Sequence, residues 1–341
     1  MQTAYQIYKR KIFMRNTLVA AAGILLLLAA LVVSMNTGYT KLIPSDTFRI
    51  LFGGGTDAEN LILYQFRLPR VILAAMAGAG LALSGCIIQD VTKNPLADPG
   101  LLGINAGAGL AVLLYVLFFG TATFLAVFTL PVLALAGAGM TSVLIYLLAF
   151  KKGEGTSPIR LILTGIAVQA GIFALTTVLV INLDETRFDF VAMWQAGSIW
   201  GSGWKYVLAL LPWQMVLIPF VVYRSRVLDV LSLDSCAACG LGVDVEKEQR
   251  ILLFCAVALA ASCVAVSGNI SFAGLIAPHM ARRLVGPKHS VLLPVCALTG
   301  AVTVSAADTF ARVIVQPSEI PTGIVTAVLG APYFIWLLTR K

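Results

Sequence analysis

Few residues in this sequence have the types and spacing that chemistry requires. Cys236 and Cys239 form a CxxC pair, but a zinc site usually needs four ligands, and the chain has only two histidines, His279 and His289. The six cysteines are scattered, several of them within apolar runs, so a disulfide framework is not expected. His279, in the run APHM, could be a ligand for haem or iron or a hydrogen-bonding structural residue. We favour the structural role.

Motifs for hydrolysis are absent from the sequence. Without a GxxxxGK[ST] phosphate loop the chain is not expected to hydrolyse ATP, and without HExxH or GxSxG it does not resemble a protease or hydrolase. Asp90, Asp98 and Asp308 fall near the predicted ends of apolar segments, whereas ion-coupled carriers place an acid deep in a span. We therefore expect no catalytic residue, no metal and no cofactor in this chain, and an energy source outside it.

The composition is that of a membrane protein. Of 341 residues, 59% are hydrophobic and 12% charged, against about 25% charged in an ordinary soluble domain. The formal net charge of +8 could indicate nucleic-acid binding in a soluble protein, but here the basic residues lie in short loops and at the ends, where they orient a membrane protein. We expect one transmembrane domain over residues 1–341, all-α, in contact with lipid and not with nucleic acid.

Apolar segments of spanning length recur along the chain. They predict about ten transmembrane helices, the eighth short and broken by Pro278, at 17–35, 68–89, 99–118, 122–150, 159–182, 206–223, 251–268, 271–285, 291–310 and 320–338. The first has a basic flank like a signal peptide, but its length and the lack of an A-x-A-like site favour a retained helix. Glycine and alanine are abundant, which predicts close helix packing.

Basic residues predict the orientation of the chain. They concentrate in the N-terminal tail, in KKGEGTSPIR (151–160), in residues 223–250, in ARRLVGPKH (281–289) and at Arg340 and Lys341. With an even number of spans these segments, and both termini, are expected to be cytoplasmic. The opposite face then receives residues 36–67, 183–205 and 311–319.

Two polar interruptions stand at the ends of apolar segments. In NPLADPGLLG (94–103) the prolines end helix continuity, and Asp98 before Pro99 suits an N-cap and first-turn pair, so a tight cytoplasmic turn is expected. On the outer side, RLPR sets Arg67 and Arg70 three residues apart, neighbours if the segment is helical. These cations could snorkel toward lipid headgroups or meet a partner protein.

Four long motifs together resemble one family. RLPRVILAAMAGAGLALSG (67–85), NPLADPGLLG, GLIAPHMARRLVG (274–286) and EIPTGIVTAVLGAPYFIWLL (319–338) are similar, in the same order, to the permease subunits of bacterial ABC importers for iron-siderophore complexes, haem and vitamin B12, the FecCD-type permeases. The resemblance implies a bundle of ten helices in the bacterial cytoplasmic membrane. It also implies a second permease subunit, two ATPase subunits that use ATP, and an extracytoplasmic substrate-binding protein.

The resemblance also assigns roles to particular positions. By matching motifs it implies a cytoplasmic gate, a rim that docks glutamates of the binding protein, and an ATPase-coupling segment of two short helices at about 224–250 with Gly240 and Gly242 near their joint. The implied residues are Asn94, Leu96, Thr156 and Ser157 for the gate, Arg67, Arg70 and Arg312 for docking, and Leu233, Ala238, Leu241 and Gly242 for coupling. Asp234, where many relatives have Gly, and the CxxC pair depart from the pattern.

The cargo is the least determined part of the prediction. An iron-siderophore complex is expected because it is the commonest cargo of the resembling permeases, with vitamin B12 and haem as alternatives. An ion-coupled secondary carrier is a further alternative of another class, distinguished by uptake that survives ATP depletion. A paralogous second permease is expected rather than an identical chain.

Overall fold

A computed structural model describes residues 2–38, 43–120, 126–151, 155–199, 201, 203–233, 235–315 and 318–339. Over these residues the chain is all-α apart from one antiparallel pairing of two-residue strands, Phe150–Lys151 with Gly155–Thr156, in the register Phe150 to Thr156. An apolar chain in lipid must satisfy every backbone polar group within itself, which favours helices. The predicted all-α class is confirmed at this level.

Fifteen α-helices follow one another along the described chain. In chain order they are α1 Gln2–Asn36, α2 Pro44–Leu51, α3 Asp57–Asn60, α4 Leu68–Thr92, α5 Ile104–Phe119, α6 Ala126–Ala149, α7 Pro158–Val180, α8 Glu185–Gln195, α9 Trp204–Tyr223, α10 Ser225–Leu231, α11 Ser235–Gly240, α12 Val245–Ser267, α13 Ala273–Val285, α14 His289–Ile314 and α15 Thr322–Thr339. A π-helical segment, Leu61–Arg67, leads into α4, and a 3-10 turn, Pro99–Leu102, precedes α5.

Helix α4 lies at the centre of the molecule. It packs against α9, α12, α13 and α14, and most of its residues are buried. Two glycine pairs bring backbones together: a Cβ on Gly85 would overlap the backbone of Gly274 in α13, and a Cβ on Gly78 would overlap that of Gly300 in α14. The predicted use of small residues for close packing is confirmed at these crossings.

Each predicted apolar segment coincides with a helix of the structure. Among the described residues, seven helical stretches are long and apolar enough to cross a membrane, so the chain is an integral membrane protein. The segments that fall on α5 and α15 form shorter apolar helices, and the segment that falls on α13 forms a short helix. At 13 residues, α13 extends about 20 Å, less than the roughly 30 Å of a hydrocarbon core. Ten crossings with cytoplasmic termini stay a prediction.

The expectation that Pro278 breaks the eighth segment was wrong. Pro278 lies inside α13, which continues from Ala273 to Val285. Proline removes one backbone donor, but packed membrane helices tolerate this where neighbouring groups compensate. Pro278 is buried, and α13 packs against α1, α4, α14 and α15.

Candidate functional site

The residues between α4 and α5 form a tight turn, the 93–103 turn. Lys93 adopts a left-handed conformation with φ 50°, and the Asn94 N–H donates to Gln89 O at 3.0 Å, which closes the end of α4. The Asn94 Oδ1 then accepts the Leu96 N–H at 2.9 Å, a side-chain turn typical of asparagine. The backbone of this turn is therefore fixed by local hydrogen bonds.

The predicted cap of Asp98 and Pro99 is confirmed, but it caps a different element. The Asp98 Oδ1 accepts the Gly100 N–H at 2.8 Å at the start of the 3-10 turn Pro99–Leu102, not at the start of α5. Gly103 follows with φ 69°, a left-handed conformation that suits glycine, and only then does α5 begin. The turn thus enters α5 through a sharp change of direction.

A cavity of about 810 Å³ lies beside this turn and is open on one side. Its lining comes from the 93–103 turn, α5, α7, α8, the loop before α13, α13 itself and α15. The lining residues are Leu96, Asp98, Gly100, Asn105, Ala106, Gly109, Leu110, Gln169, Ala170, Ile172, Phe173, Thr176, Trp194, Gln195, Asn269, Ser271, Phe272, Leu275 and Phe334. Among these described residues no Lys, Arg or His occurs. Burial raises the pKa of the Asp98 carboxyl above its ordinary value, against the opposing hydrogen bond from Gly100.

Side-chain amides hold the cavity wall together. The Asn105 Nδ2 of α5 donates to the Asn269 Oδ1 at 2.6 Å, and the Ser271 hydroxyl donates to the same oxygen at 3.3 Å. The Gln169 Nε2 of α7 donates to Gly100 O at 2.7 Å, which attaches α7 directly to the 93–103 turn. These amides add hydrogen-bonding groups to a mostly apolar wall, in which Asp98 is the one acid among the described lining residues.

The four predicted gate residues do not all meet. Leu96 lines the cavity, and Asn94 orders the turn that presents it. Thr156 belongs to the second short strand, and Ser157 precedes Pro158 at the start of α7 without a side-chain cap bond. A hydrogen bond between the turn and α7 is made by Gln169, which the sequence did not single out because its partner is distant in sequence. The gate role of the four stays a prediction.

The three arginines predicted for docking are buried within the chain. The exposed fractions of Arg67, Arg70 and Arg312 are 6%, 9% and 6%. Arg67 donates to Met35 O in α1, and Arg312 donates to Ser34 Oγ and to Thr37 O. A guanidinium this far from water needs partners within the chain. Their role in docking remains untested.

One acid organises this arginine cluster. Asp308 of α14, which is fully buried, accepts from Arg70 Nε at 3.1 Å and Nη2 at 2.9 Å, from Thr322 Oγ1 at 3.1 Å, and lies 3.3 Å from Arg312 Nε. Glu319, with 28% of its side chain exposed, binds Arg70 Nη1 at 2.8 Å. The sequence placed Asp308 near the end of an apolar segment. In the structure it is the buried counterion of Arg70 in α4 and of Arg312 in α14.

The 224–250 segment forms the predicted pair of short helices, α10 and α11. The glycines expected at their joint lie elsewhere: Gly240 ends α11 and Gly242, with φ 82°, turns the chain toward α12. Leu233 and Leu241 are 46% and 64% exposed, whereas Ala238 is buried. Asp234 lies outside the described residues. Exposed leucines on a polar segment indicate a contact surface, and the coupling role stays a prediction.

A polar cluster that the sequence did not single out lies where α4 ends. His289, 2% exposed, has Nε2 at 2.7 Å from Asp90 Oδ2 and Nδ1 at 2.7 Å from Asp229 Oδ1. The Arg282 Nη2 is 2.8 Å from Asp90 Oδ1, and its Nη1 donates to Gln89 Oε1 at 2.7 Å. Four helices contribute to it: Arg282 and His289 come from neighbouring helices, but their acidic partners Asp90 and Asp229 are distant in sequence, so no spacing in the sequence could have indicated this site.

Among the described residues, Cys236, Cys239 and His279 have no ligand set around them. Cys236 and Cys239 are exposed free thiols on α11. The ring of His279 packs edge-on against Tyr333 at 6.0 Å, and its buried Nε2 has no hydrogen-bond partner among the described residues, so the hydrogen bond expected of it is not seen at that atom. Cys86, Asp90 and His289 have ligand atoms within 4.8 Å of one another, but the guanidinium of Arg282 already occupies Asp90 and opposes a cation.

Comparison with known proteins bears on the whole chain. Residues 26–340 match the FecCD transport family. The chain is 50% identical over 327 residues to the iron(3+)-hydroxamate import system permease protein FhuG of Bacillus subtilis, covering 95% of this chain and 97% of that protein. It is 40% identical over 279 residues to the Fe(3+) dicitrate transport system permease protein FecD of Escherichia coli, covering 82% and 85%.

Among solved structures, an inward-facing conformation of a metal-chelate type ABC transporter matches with a TM-score of 0.82 and 30% identity, covering 95% of this chain and 99% of that one. The resemblance drawn from the four sequence motifs is confirmed by these matches.

Proposed function

Because this chain belongs to the FecCD transport family, we propose that it is the permease subunit of an ABC importer that carries a ferric hydroxamate siderophore across the bacterial cytoplasmic membrane. The observation that carries the cargo class is the nearly uncharged cavity beside the 93–103 turn. The relative that is 50% identical is described as an iron(3+)-hydroxamate permease, which supports the same class.

The charge of the cargo is the physical basis for this choice. In a ferric hydroxamate the hydroxamate anions balance the ferric ion, so the iron core has no net charge, whereas ferric catecholate and dicitrate cores are anions. An anion in an apolar wall without a compensating cation pays a large desolvation cost. The amides of Asn105, Gln169 and Asn269 can solvate a neutral chelate by hydrogen bonds without holding it tightly.

A second permease would complete the pathway. The cavity is open on one side, and exposed apolar residues such as Ile166 and Phe173 on α7 support a helical neighbour there as well as lipid. Because the chain has no phosphate loop of its own, two ABC ATPases would supply energy by hydrolysing ATP. They would bind the 224–250 segment around the exposed Leu233 and Leu241. Their motion would open the constriction at Asn94, Leu96, Thr156 and Ser157.

The substrate-binding protein is proposed to dock at the buried arginine cluster. Glu319 is the more exposed of the two counterions there, and its contact with Arg70 uses one guanidinium nitrogen. A carboxylate of the binding protein could replace Glu319 on Arg70 while Asp308 stays in place. Docking by Arg67, Arg70 and Arg312 would therefore be an exchange of ion-pair partners, not the meeting of free charges.

Uptake of radioactive iron by cells lacking this chain tests the function. Ferric hydroxamate, catecholate and citrate chelates are supplied in turn, with haem and labelled vitamin B12 in parallel. We expect hydroxamate uptake alone to be lost and to be restored by the wild-type chain. Restoration by Thr177→Ala, an exposed α7 change that leaves the cavity intact, but not by Gln169→Ala, would support the cavity as the pathway. Loss of an anionic chelate instead would refute the cargo class.

A further inference from the structure

We propose that His289 links the 224–250 segment to the 93–103 turn, so that a displacement of α10 by the ATPases is passed to the gate through a charged bridge. This inference rests on the proposed function, because the driving motion comes from partner ATPases. His289 is a positioning residue in this scheme, since it would act on the turn through Asp90 and would touch no cargo.

Each ring nitrogen of His289 faces a carboxylate oxygen. Asp229 of α10 accepts twice from His289, from its backbone N–H at 2.8 Å and from Nδ1 at 2.7 Å, while Nε2 lies 2.7 Å from Asp90 Oδ2. An ionised carboxylate only accepts hydrogen bonds, so with both carboxylates ionised each ring nitrogen donates and the ring is an imidazolium. Both distances are those of charge-assisted bonds.

The charges of the cluster balance. Asp90 and Asp229 are opposed by the His289 imidazolium and by the guanidinium of Arg282, which holds the second oxygen of Asp90. Buried charges persist when each is paired and hydrogen-bonded. Cys86 Sγ lies 3.7 Å from Asp90 Oδ2, and the balance needs no charge on it.

Asp90 connects the bridge to the 93–103 turn because it lies at the end of α4. Asp90 stands three residues before Lys93, where α4 ends, and its neighbour Gln89 accepts the Asn94 N–H at 3.0 Å. The Lys93 Nζ also donates to Leu233 O at 3.0 Å, a second and exposed contact between the turn and the 224–250 segment. A shift of the 224–250 segment would therefore act on Asp90, in the last turn of α4, and on Lys93, where the 93–103 turn begins.

The polar bridge couples the movements of α10 and α4 more firmly than apolar packing would. Leu228 and Leu231 bury α10 against the bundle, but apolar contacts are non-directional and let a short helix slide. The imidazolium holds two carboxylates at fixed directions and distances, so that α10 and the end of α4 must move together or break hydrogen bonds to charged groups.

The experiment uses the complete importer in lipid vesicles, with its binding protein and a ferric hydroxamate. Iron uptake and ATP hydrolysis are measured together in wild type, in His289→Gln, and in the matched control His279→Gln. A glutamine side chain has both of its N–H donors on one nitrogen, so it cannot replace two ring nitrogens that each face a different carboxylate. For His289→Gln we expect uptake per ATP hydrolysed to fall about tenfold or more, the change expected for loss of one hydrogen bond to a charged group. The His279 control should keep the wild-type ratio, because its buried Nε2 has no bond to lose among the described residues.

A second variant separates coupling from folding. Asp229→Asn removes the charge of a side chain that is 33% exposed, so it disturbs packing less than a change at His289. Both single variants should lower the ratio, and the double variant should be no worse than the worse single, because both break the same bridge. Yield and thermal stability of each assembled complex are measured as well. Wild-type ratios in both single variants, or an equal fall in the His279 control, would overturn the proposal.

A readout without cargo keeps this test independent of the proposed substrate. A spin label on Pro95→Cys, an exposed position of the turn, is followed while ATP binds, with Cys236 and Cys239 replaced by Ser. The label should respond to ATP in the wild-type background and not with His289→Gln. If the label responds to ATP in the wild-type background but hydroxamate uptake fails, the proposed cargo is refuted and the proposed bridge is still supported. An unchanged response in His289→Gln would refute the bridge.

Discussion

Replacing Asp308 with Asn should destabilise the chain strongly. Asp308 is fully buried and serves as counterion to two guanidinium groups, those of Arg70 and Arg312. The amide would leave both cations without a buried negative charge, and its NH₂ group would face their donors. Removing one partner of a buried ion pair costs about 3–5 kcal/mol, and since the amide keeps one acceptor oxygen we expect about 3 kcal/mol.

Glu319→Gln is the matched control for this change. Glu319 contacts the same Arg70 at 2.8 Å, but 28% of its side chain is exposed, so water replaces much of what the charge supplies. A partly exposed pair contributes less than about 1 kcal/mol. The two carboxyl-to-amide changes therefore differ in burial and not in chemistry.

The assay measures unfolding of the purified chain in detergent. Unfolding is monitored either during a denaturant titration or as the fraction of protein that stays monodisperse after heating. A third variant, Arg70→Met with Asp308→Leu, replaces both partners by apolar groups. We expect it to recover part of the stability that Asp308→Asn loses, because an apolar pair of similar size has no desolvation cost. The reasoning is refuted if Asp308→Asn and Glu319→Gln destabilise the chain equally, or if Asp308→Asn costs under about 1 kcal/mol.

Three further changes test the packing, the coupling segment and the gate. Gly85→Leu should abolish the yield of monodisperse protein because a side chain there overlaps a facing backbone, whereas Gly139→Leu, with nothing within 4 Å of its Cβ, should keep it; equal yields would contradict this. Leu241→Asp should weaken co-purification of the ATPases about tenfold, since it puts a charge on a 64% exposed apolar contact, while the permease itself elutes unchanged. Asn94→Ala removes the bond to the Leu96 N–H, worth about 1 kcal/mol, and should raise ATP-independent leak of chelate from vesicles; wild-type leak would count against the gate role.

The sequence determined the class of this protein and the order of its elements. Hydrophobicity alone located ten of the helices, because in lipid a long apolar run has few alternatives to an internally hydrogen-bonded helix. The prolines and Asp98 of NPLADPGLLG predicted a capped turn between two helices, and local hydrogen bonds of Asn94 and Asp98 form it. Long motifs in a fixed order indicated the family. These features depend on neighbours in the chain, which a sequence displays.

Only the tertiary structure decided how charged residues are used. Arg70 looks like a surface cation in RLPR, but its partner Asp308 lies 238 residues away, and helix packing buries both. Pro278 looks like a helix break, yet its surroundings keep α13 continuous. His289 looks like a loop residue after GPK, but α4 and α10 each set a carboxylate 2.7 Å from its ring. Burial and long-range pairing arise when helices pack, and no local pattern in the sequence records which distant residues will meet.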